Sequence, residues 1–250
     1  MSLKNKSATI GKWLFRWRSY LPLIFIAVII PALLNYSYLF DSHVYDLIWG
    51  MFCFAISLFG LWIRCYTIGY TPKGTSGRNT KKQRADSLNT TGIYSITRNP
   101  LYLGNFFIVL GITMLLRVWW IYILYVLVFW LYYGRIIQIE ESYLSNKYGK
   151  IFKDYVHRTP VFIPHLRLWQ PTVLSFSFKK ALKREYPSLF GIISAFTVLE
   201  CAKDSAVKGS VVIDPVWMVI FSFGLLAYIT LRILKKKTRL LRVKRQQVNP

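Results

Sequence analysis

Glu140 and Glu141 stand side by side in the run Arg135-Ile-Ile-Gln-Ile-Glu140-Glu141, just past a long apolar stretch. Carboxylates at membrane depth are costly and mark ligand or ion sites by default. Successive helix residues point about 100° apart, so one glutamate can face a helix bundle while the other faces a ligand or solvent. A plainer role is to neutralise Arg135 or Arg98 at the membrane interface. The second chemical element is Thr91-Gly92-Ile93-Tyr94-Ser95-Ile96-Thr97-Arg98-Asn99-Pro100-Leu101-Tyr102-Leu103-Gly104. Asn99 suits a helix N-cap and Pro100 the first helical position, and the N–H groups of that turn, with Arg98 beside them, make a site for an anion. Gly104, one turn in, admits a ligand or a neighbouring backbone. Tyr94 and Tyr102 add aromatic faces that can stack on a base or a cation.

The elements that must hold these residues are membrane helices. Of 250 residues 54% are hydrophobic and only 17% charged, yet 33 Lys+Arg against 10 Asp+Glu leave a net charge of +23. Such apolar content excludes disorder. Three cysteines in or beside apolar runs exclude a disulfide scaffold. His43, His157 and His165 are too few and scattered for a zinc site of three or four protein ligands, so no metal is expected. Six apolar runs approach the roughly 20 residues that a helix needs to cross hydrocarbon: 21–40, 47–63, 101–116, 118–134, 188–199 and 215–231. The first reads as a retained span rather than a cleaved signal, because its apolar stretch is long and no small-residue cleavage site follows.

With the N terminus inside, 30 of the 33 basic residues fall in four cytoplasmic segments, leaving only Arg117, Lys203 and Lys208 outside, as the positive-inside rule requires. Seven basic residues among Lys235 to Arg245 read as an anchor to anionic membrane lipids rather than a nucleic-acid tail. Two stretches mixing aromatic and basic residues, 12–18 and 178–186, read as interfacial helices. Glu200 reads as a helix-end charge near water. No G-x-G-x-x-G and no P-loop pattern occurs, so the soluble routes to a nucleotide are absent.

Thr91-Gly92-Ile93-Tyr94, Arg98-Asn99-Pro100-Leu101-Tyr102-Leu103-Gly104, a hairpin of spans, Glu140-Glu141 with Leu144, Tyr148-Gly149, Phe152 and Tyr155, and then Pro160-Val161-Phe162-Ile163-Pro164 follow one another in the chain. This order resembles the isoprenylcysteine carboxyl methyltransferase and phospholipid methyltransferase family, over residues 60–164. The resemblance implies an integral-membrane enzyme that binds S-adenosylmethionine in a pocket open to the cytosol and takes a lipid or lipidated acceptor from the bilayer. It places Arg98, Asn99, Pro100, Tyr102 and Gly104, with Tyr94 nearby, in the cofactor motif, and Glu140 and Glu141 in the acidic pair that closes on it. The family usually has His where this chain has Asn99, so an imidazole that gains or loses a proton cannot act there.

The expected fold is therefore all-α: a polytopic membrane protein of about six transmembrane helices with a cytosol-facing cofactor pocket. Residues 1–59 form an N-terminal interfacial segment and the first spans, 60–164 the methyltransferase-like core, and 165–250 an interfacial helix, two further spans and a basic tail. Arg98 and Glu141 are the expected catalytic residues; Tyr94, Asn99, Pro100, Tyr102, Gly104 and Glu140 are the expected cofactor-binding ones. The favoured acceptor is a lipid phosphate, as in the lipid A phosphate methyltransferases that look similar, then a prenylcysteine carboxylate. No nucleic acid is expected as a partner, and a bacterial inner membrane with both termini cytoplasmic is the expected location. A membrane reductase of the sterol-reductase type and a non-catalytic scaffold are the alternatives.

Overall fold

The computed structural model describes residues 26–72, 87–172 and 174–238. The beginning of the first run, the 12–18 stretch, most of the basic loop before the motif and the end of the basic tail lie outside them. Among the described residues there are helices and no strands: α1 (Ile26–Leu34), α2 (His43–Tyr70), α3 (Ile93–Ile96), α4 (Pro100–Met114), α5 (Trp119–Tyr148), α6 (Lys150–Arg158), α7 (Phe178–Lys208) and α8 (Pro215–Lys237), with short 3-10 turns at Leu39–Asp41 and Leu166–Leu168. The all-α expectation holds. By length and composition α2, α5 and α8 can each cross a membrane, and α4 is a shorter apolar helix.

The polar interruptions explain the helix ends. The first apolar run was expected to span to Phe40, but α1 stops at Leu34. Beyond it, Tyr36 and Tyr38 turn their hydroxyls onto Asp46 and Asp204, at 2.6 and 3.0 Å, bonds that a continued lipid-facing helix would forfeit. The third and fourth runs form a tight hairpin, α4–α5, turned by Arg117 with φ +54°. Lys150 follows Gly149, whose φ of +55° makes the bend from α5 into α6, a conformation glycine adopts without steric cost. The aromatic-basic stretch 178–186 is not a separate interfacial helix: it forms the first turns of α7 and runs on through Pro187 into the fifth apolar run. The reason is Glu185, which is buried and paired with Arg64 of α2.

Helix α2 is the spine, packed on α4 and α7, and α8 packs on α7. Lipid tails are as apolar as leucine, so close packing of small residues, rather than water exclusion, joins helices in a bilayer. Here α2 and α4 meet glycine to glycine. A Cβ on Gly60 would lie 2.5 Å from the Gly104 carbonyl oxygen and 2.7 Å from the Ile108 nitrogen. Both obstacles are backbone. Gly60→Ala should therefore destabilise the fold by about 1–3 kcal/mol, the usual cost of overpacking, read as a lower thermal unfolding midpoint in detergent. An unchanged midpoint would mean that the helices separate at no cost.

On the other side of α4, Phe106, Tyr125, Phe129 and Phe162 form an aromatic core with Leu103 and Ile63. This core brings the Pro160–Pro164 segment under the start of α4. The geometry of the site depends on that placement.

Candidate active site

The segment Thr91–Gly104 is held from below by the chain that follows α6. Arg98 donates its backbone N–H to the Pro160 carbonyl at 2.9 Å, the Thr97 hydroxyl donates to the Phe162 carbonyl at 3.0 Å, and His165 donates its N–H to the Ile96 carbonyl at 2.9 Å. The Tyr155 hydroxyl donates to the Tyr94 carbonyl at 2.7 Å. Motifs more than 60 residues apart in sequence thus form one bonded unit.

Pro100 is the first residue of α4, as expected, and Asn99 precedes it. The Asn99 side chain does not cap the helix, however: its Nδ2 donates to the Val161 carbonyl at 3.0 Å. An amide can donate where the cap position needs an acceptor, and the Val161 carbonyl lies within reach. Gly104 sits where α4 crosses α2, with a would-be Cβ 2.5 Å from Cγ of Arg64 and 2.7 Å from the Gly60 carbonyl oxygen. The close approach it permits is to a neighbouring helix.

Both acidic residues lie on α5, and each meets a different residue of the motif. The Tyr102 hydroxyl donates to Oε1 of Glu140 at 2.9 Å. Nε of Arg98 lies 3.2 Å from Oε1 of Glu141, with the arginine side chain 8% and the glutamate side chain 25% exposed. Nη1 of Arg98 also donates to the Val156 carbonyl at 3.2 Å, fixing the guanidinium plane. Although they are an ion pair, Arg98 Nε and Glu141 Oε1 are both buried atoms with no hydrogen bond among the described residues. Such atoms ordinarily find partners, and unsatisfied ones call for an explanation such as a catalytic role. Beside them a cleft of about 690 Å³ opens between α5 and α6, lined by Arg135, Gln138, Glu141, Ser142, Lys153 and His157 among others. This is within the range of small-molecule sites.

Burial pushes the Tyr94 phenol above its ordinary range; the Glu140 charge adds to the rise, and Arg184 and Arg64 oppose it. Burial likewise raises Tyr155, with Tyr94 and Glu141 adding to the rise. Both hydroxyls stay protonated at neutral pH and can only donate or accept hydrogen bonds.

Four residues join the site that their position in the sequence did not single out as functional. Arg64 grips Glu185 through two parallel bonds, Nε to Oε2 at 2.9 Å and Nη2 to Oε1 at 2.8 Å, and Nη1 donates to Oδ1 of Asn105 at 2.6 Å. Asn105 in turn donates to the Tyr133 hydroxyl at 3.3 Å, and the Tyr133 ring packs against Tyr102 with centroids 4.8 Å apart and planes tilted by 50°. A polar line therefore runs from α7 through α2 and α4 to Glu140. Its only sequence sign was Asn105, an amide inside an apolar run.

Residues 45–151 match the model of the phospholipid methyltransferase family. Over this stretch the resemblance read from the motifs holds. The match takes in α2, the motif, the α4–α5 hairpin and the acidic pair, starting earlier and ending earlier than the motifs alone suggested. Protein-S-isoprenylcysteine O-methyltransferase of Schizosaccharomyces pombe is 36% identical over 84 residues, 34% of this chain and 36% of that protein. Its namesake from Saccharomyces cerevisiae is 32% identical over 87 residues, 35% of this chain and 36% of that protein. The nickel-cobalt-cadmium resistance protein NccN of Alcaligenes xylosoxydans xylosoxydans is 35% identical over 88 residues, 35% of this chain and 41% of that protein. The chain thus spans well under half the length of each of these relatives. No solved structure matches it significantly.

Proposed function

We propose that this protein is an integral-membrane methyltransferase that uses S-adenosylmethionine to methylate an anionic, lipid-like acceptor. One observation carries the reading: Arg98 and Glu141, brought together from the two family motifs, keep a buried donor and a buried acceptor that make no hydrogen bond among the described residues. The donor set suits the proposed cofactor, which presents a carboxylate, an ammonium and ribose hydroxyls. Glu141 lines the neighbouring cleft, which has room for a ligand of that size, and offers an acceptor for the ammonium or hydroxyls there; Glu140, Tyr94 and Tyr102 lie outside the lining of that cleft, with Glu140 tied to Tyr102.

When bound, S-adenosylmethionine supplies a methyl group activated on a positively charged sulfur. The protein's part is positioning, which alone can be worth about 7–11 kcal/mol in a bimolecular transfer. Arg98 would hold the acceptor's anionic oxygen through its guanidinium, whose plane the Val156 carbonyl and Glu141 fix. Glu141 would supply a negative charge to balance the sulfonium. No general base is assigned, and Asn99 is bonded to Val161. That fits an acceptor already ionised at neutral pH, with a lipid phosphate first and a prenylcysteine carboxylate next. In this reading residues 60–164 form the working core, the pocket opens to the cytosol and both termini are cytoplasmic.

The test is calorimetry with S-adenosylmethionine on the detergent-solubilised full chain, followed by transfer of a labelled methyl group to extracted phospholipids or to a prenylcysteine. Saturable binding that weakens in Glu141→Ala is the expected result. A well-folded sample that shows no binding, with or without added lipid, overturns the reading and returns weight to a reductase or a scaffold.

A further inference from the structure

The end of the bundle opposite Arg98 and Glu141 holds a second constellation, outside the family match. His43 opens α2, Asp204 lies in the last turns of α7, and Asp214 immediately precedes α8. Nε2 of His43 is 3.1 Å from Oδ2 of Asp214 and 3.6 Å from Oδ2 of Asp204, and the three candidate ligand atoms lie within 4.8 Å of one another. We propose that His43, Asp204 and Asp214 bind a divalent transition-metal ion.

The donor spacing fits such an ion. Bonds of about 2.0–2.2 Å at tetrahedral or octahedral angles set neighbouring donors about 2.9–3.6 Å apart, which is the spacing found on both sides of the imidazole. Each carboxylate is also aimed by a partner on its other oxygen. The Tyr38 hydroxyl donates to Oδ1 of Asp204 at 3.0 Å, while the Val216 and Trp217 N–H groups donate to Oδ1 of Asp214 at 2.8 and 3.1 Å. Such outer contacts hold ligand atoms in place before the ion arrives.

Charge supplies an independent argument. Asp46, Glu200, Asp204 and Asp214 are all buried at this end of a chain whose net charge is +23. Lys203 bridges Asp46 and Glu200 at 3.0 and 2.8 Å, and Arg117 reaches Asp46 at 3.4 Å. Asp204 and Asp214, 2% and 3% exposed, share one imidazole between them. Among the described residues, even with that imidazole protonated, one of these four buried carboxylates has no cation to balance it, a costly arrangement unless a cation joins it. The imidazole edge is 41% exposed, so an ion and its remaining waters have a way in. One nitrogen with two carboxylates favours zinc, cobalt or nickel over magnesium or calcium, which prefer all-oxygen shells.

Cobalt(II) is the probe, added to the full chain in detergent and followed by its visible absorption bands and by calorimetry. One ion per chain is expected, displaced by zinc and not by an equal concentration of magnesium. His43→Ala removes a half-exposed ring and should weaken binding by about 100-fold or more, since even outer-contact changes cost about 10- to 100-fold. Asp204→Asn, which keeps an acceptor for Tyr38, should do the same, while Arg98→Ala should leave cobalt binding unchanged. Metal-free thermal midpoints of each variant check the fold. The proposal is overturned by a lack of saturable binding, by wild-type affinity in the two folded site variants, or by magnesium displacing cobalt as well as zinc does.

Discussion

Arg98→Ala should lower the proposed methyl transfer by about 100- to 1000-fold, because removing one positioned charged donor from a site where charge reorganises costs about that much. The loss has two sources that can be separated. One is the acceptor's missing hydrogen-bond partner; the other is Glu141, left half-buried and without its counter-ion at 3.2 Å. Pairing Arg98→Ala with Glu141→Gln removes the stranded charge, so the thermal midpoint should recover while transfer stays low. Arg98→Lys should recover little activity. A lysine is a point charge that cannot hold the Val156 carbonyl and a ligand oxygen together, as the planar fork does. Full activity in the lysine variant would show that charge alone is used and would count against the assigned geometry.

The largest effect on stability is expected from Lys203→Met. The ammonium is entirely buried and touches both Asp46 and Glu200, with the Tyr36 ring 5.1 Å beneath it. Breaking a buried pair by deleting one partner costs about 3–5 kcal/mol, because the other charge is left behind. Lys203→Met should therefore sharply lower the unfolding midpoint and the yield of folded protein. Lys203→Met with Glu200→Leu should regain a large part of the loss, since Asp46 keeps Arg117 and the Tyr36 hydroxyl. A single variant within about 1 kcal/mol of wild type, the worth of an exposed pair, would mean that water reaches this cluster.

The helices and the order of the motifs were legible because each rests on a local signal. Apolar run length predicted α2, α4, α5 and α8, Pro100 marked the start of α4, and Arg117 marked the turn of the hairpin. The pairing of Arg98 with Glu141 was one of the alternatives the charges allowed. What stayed hidden depends on partners distant in sequence. Glu185 sits among lysines and aromatics and looks interfacial until Arg64, 121 residues away, is placed beside it. Glu200 looks like a charge near water, yet it is 4% exposed and packed against Gly50. Lys203 and Arg117, two of the three basic residues that broke the charge asymmetry, are held by carboxylates in the structure. Asn99 shows the limit of a positional rule: the residue type fits a cap, while the nearer Val161 carbonyl takes the amide.

Helices α2 and α7 are clamped at both ends, by Arg64 with Glu185 at one and by Asp46 with Lys203 at the other. Each of these charges is expensive in hydrocarbon until its partner arrives, and α7 is synthesised long after α2. Asp46 can meet Tyr36 and Arg117 before α7 exists, but Arg64 meets its carboxylate, among the described residues, only when Glu185 is made. A chain stopped before residue 178 therefore has its family-matching stretch complete in sequence while lacking Glu185 and Lys203, the two α7 charges that clamp α2.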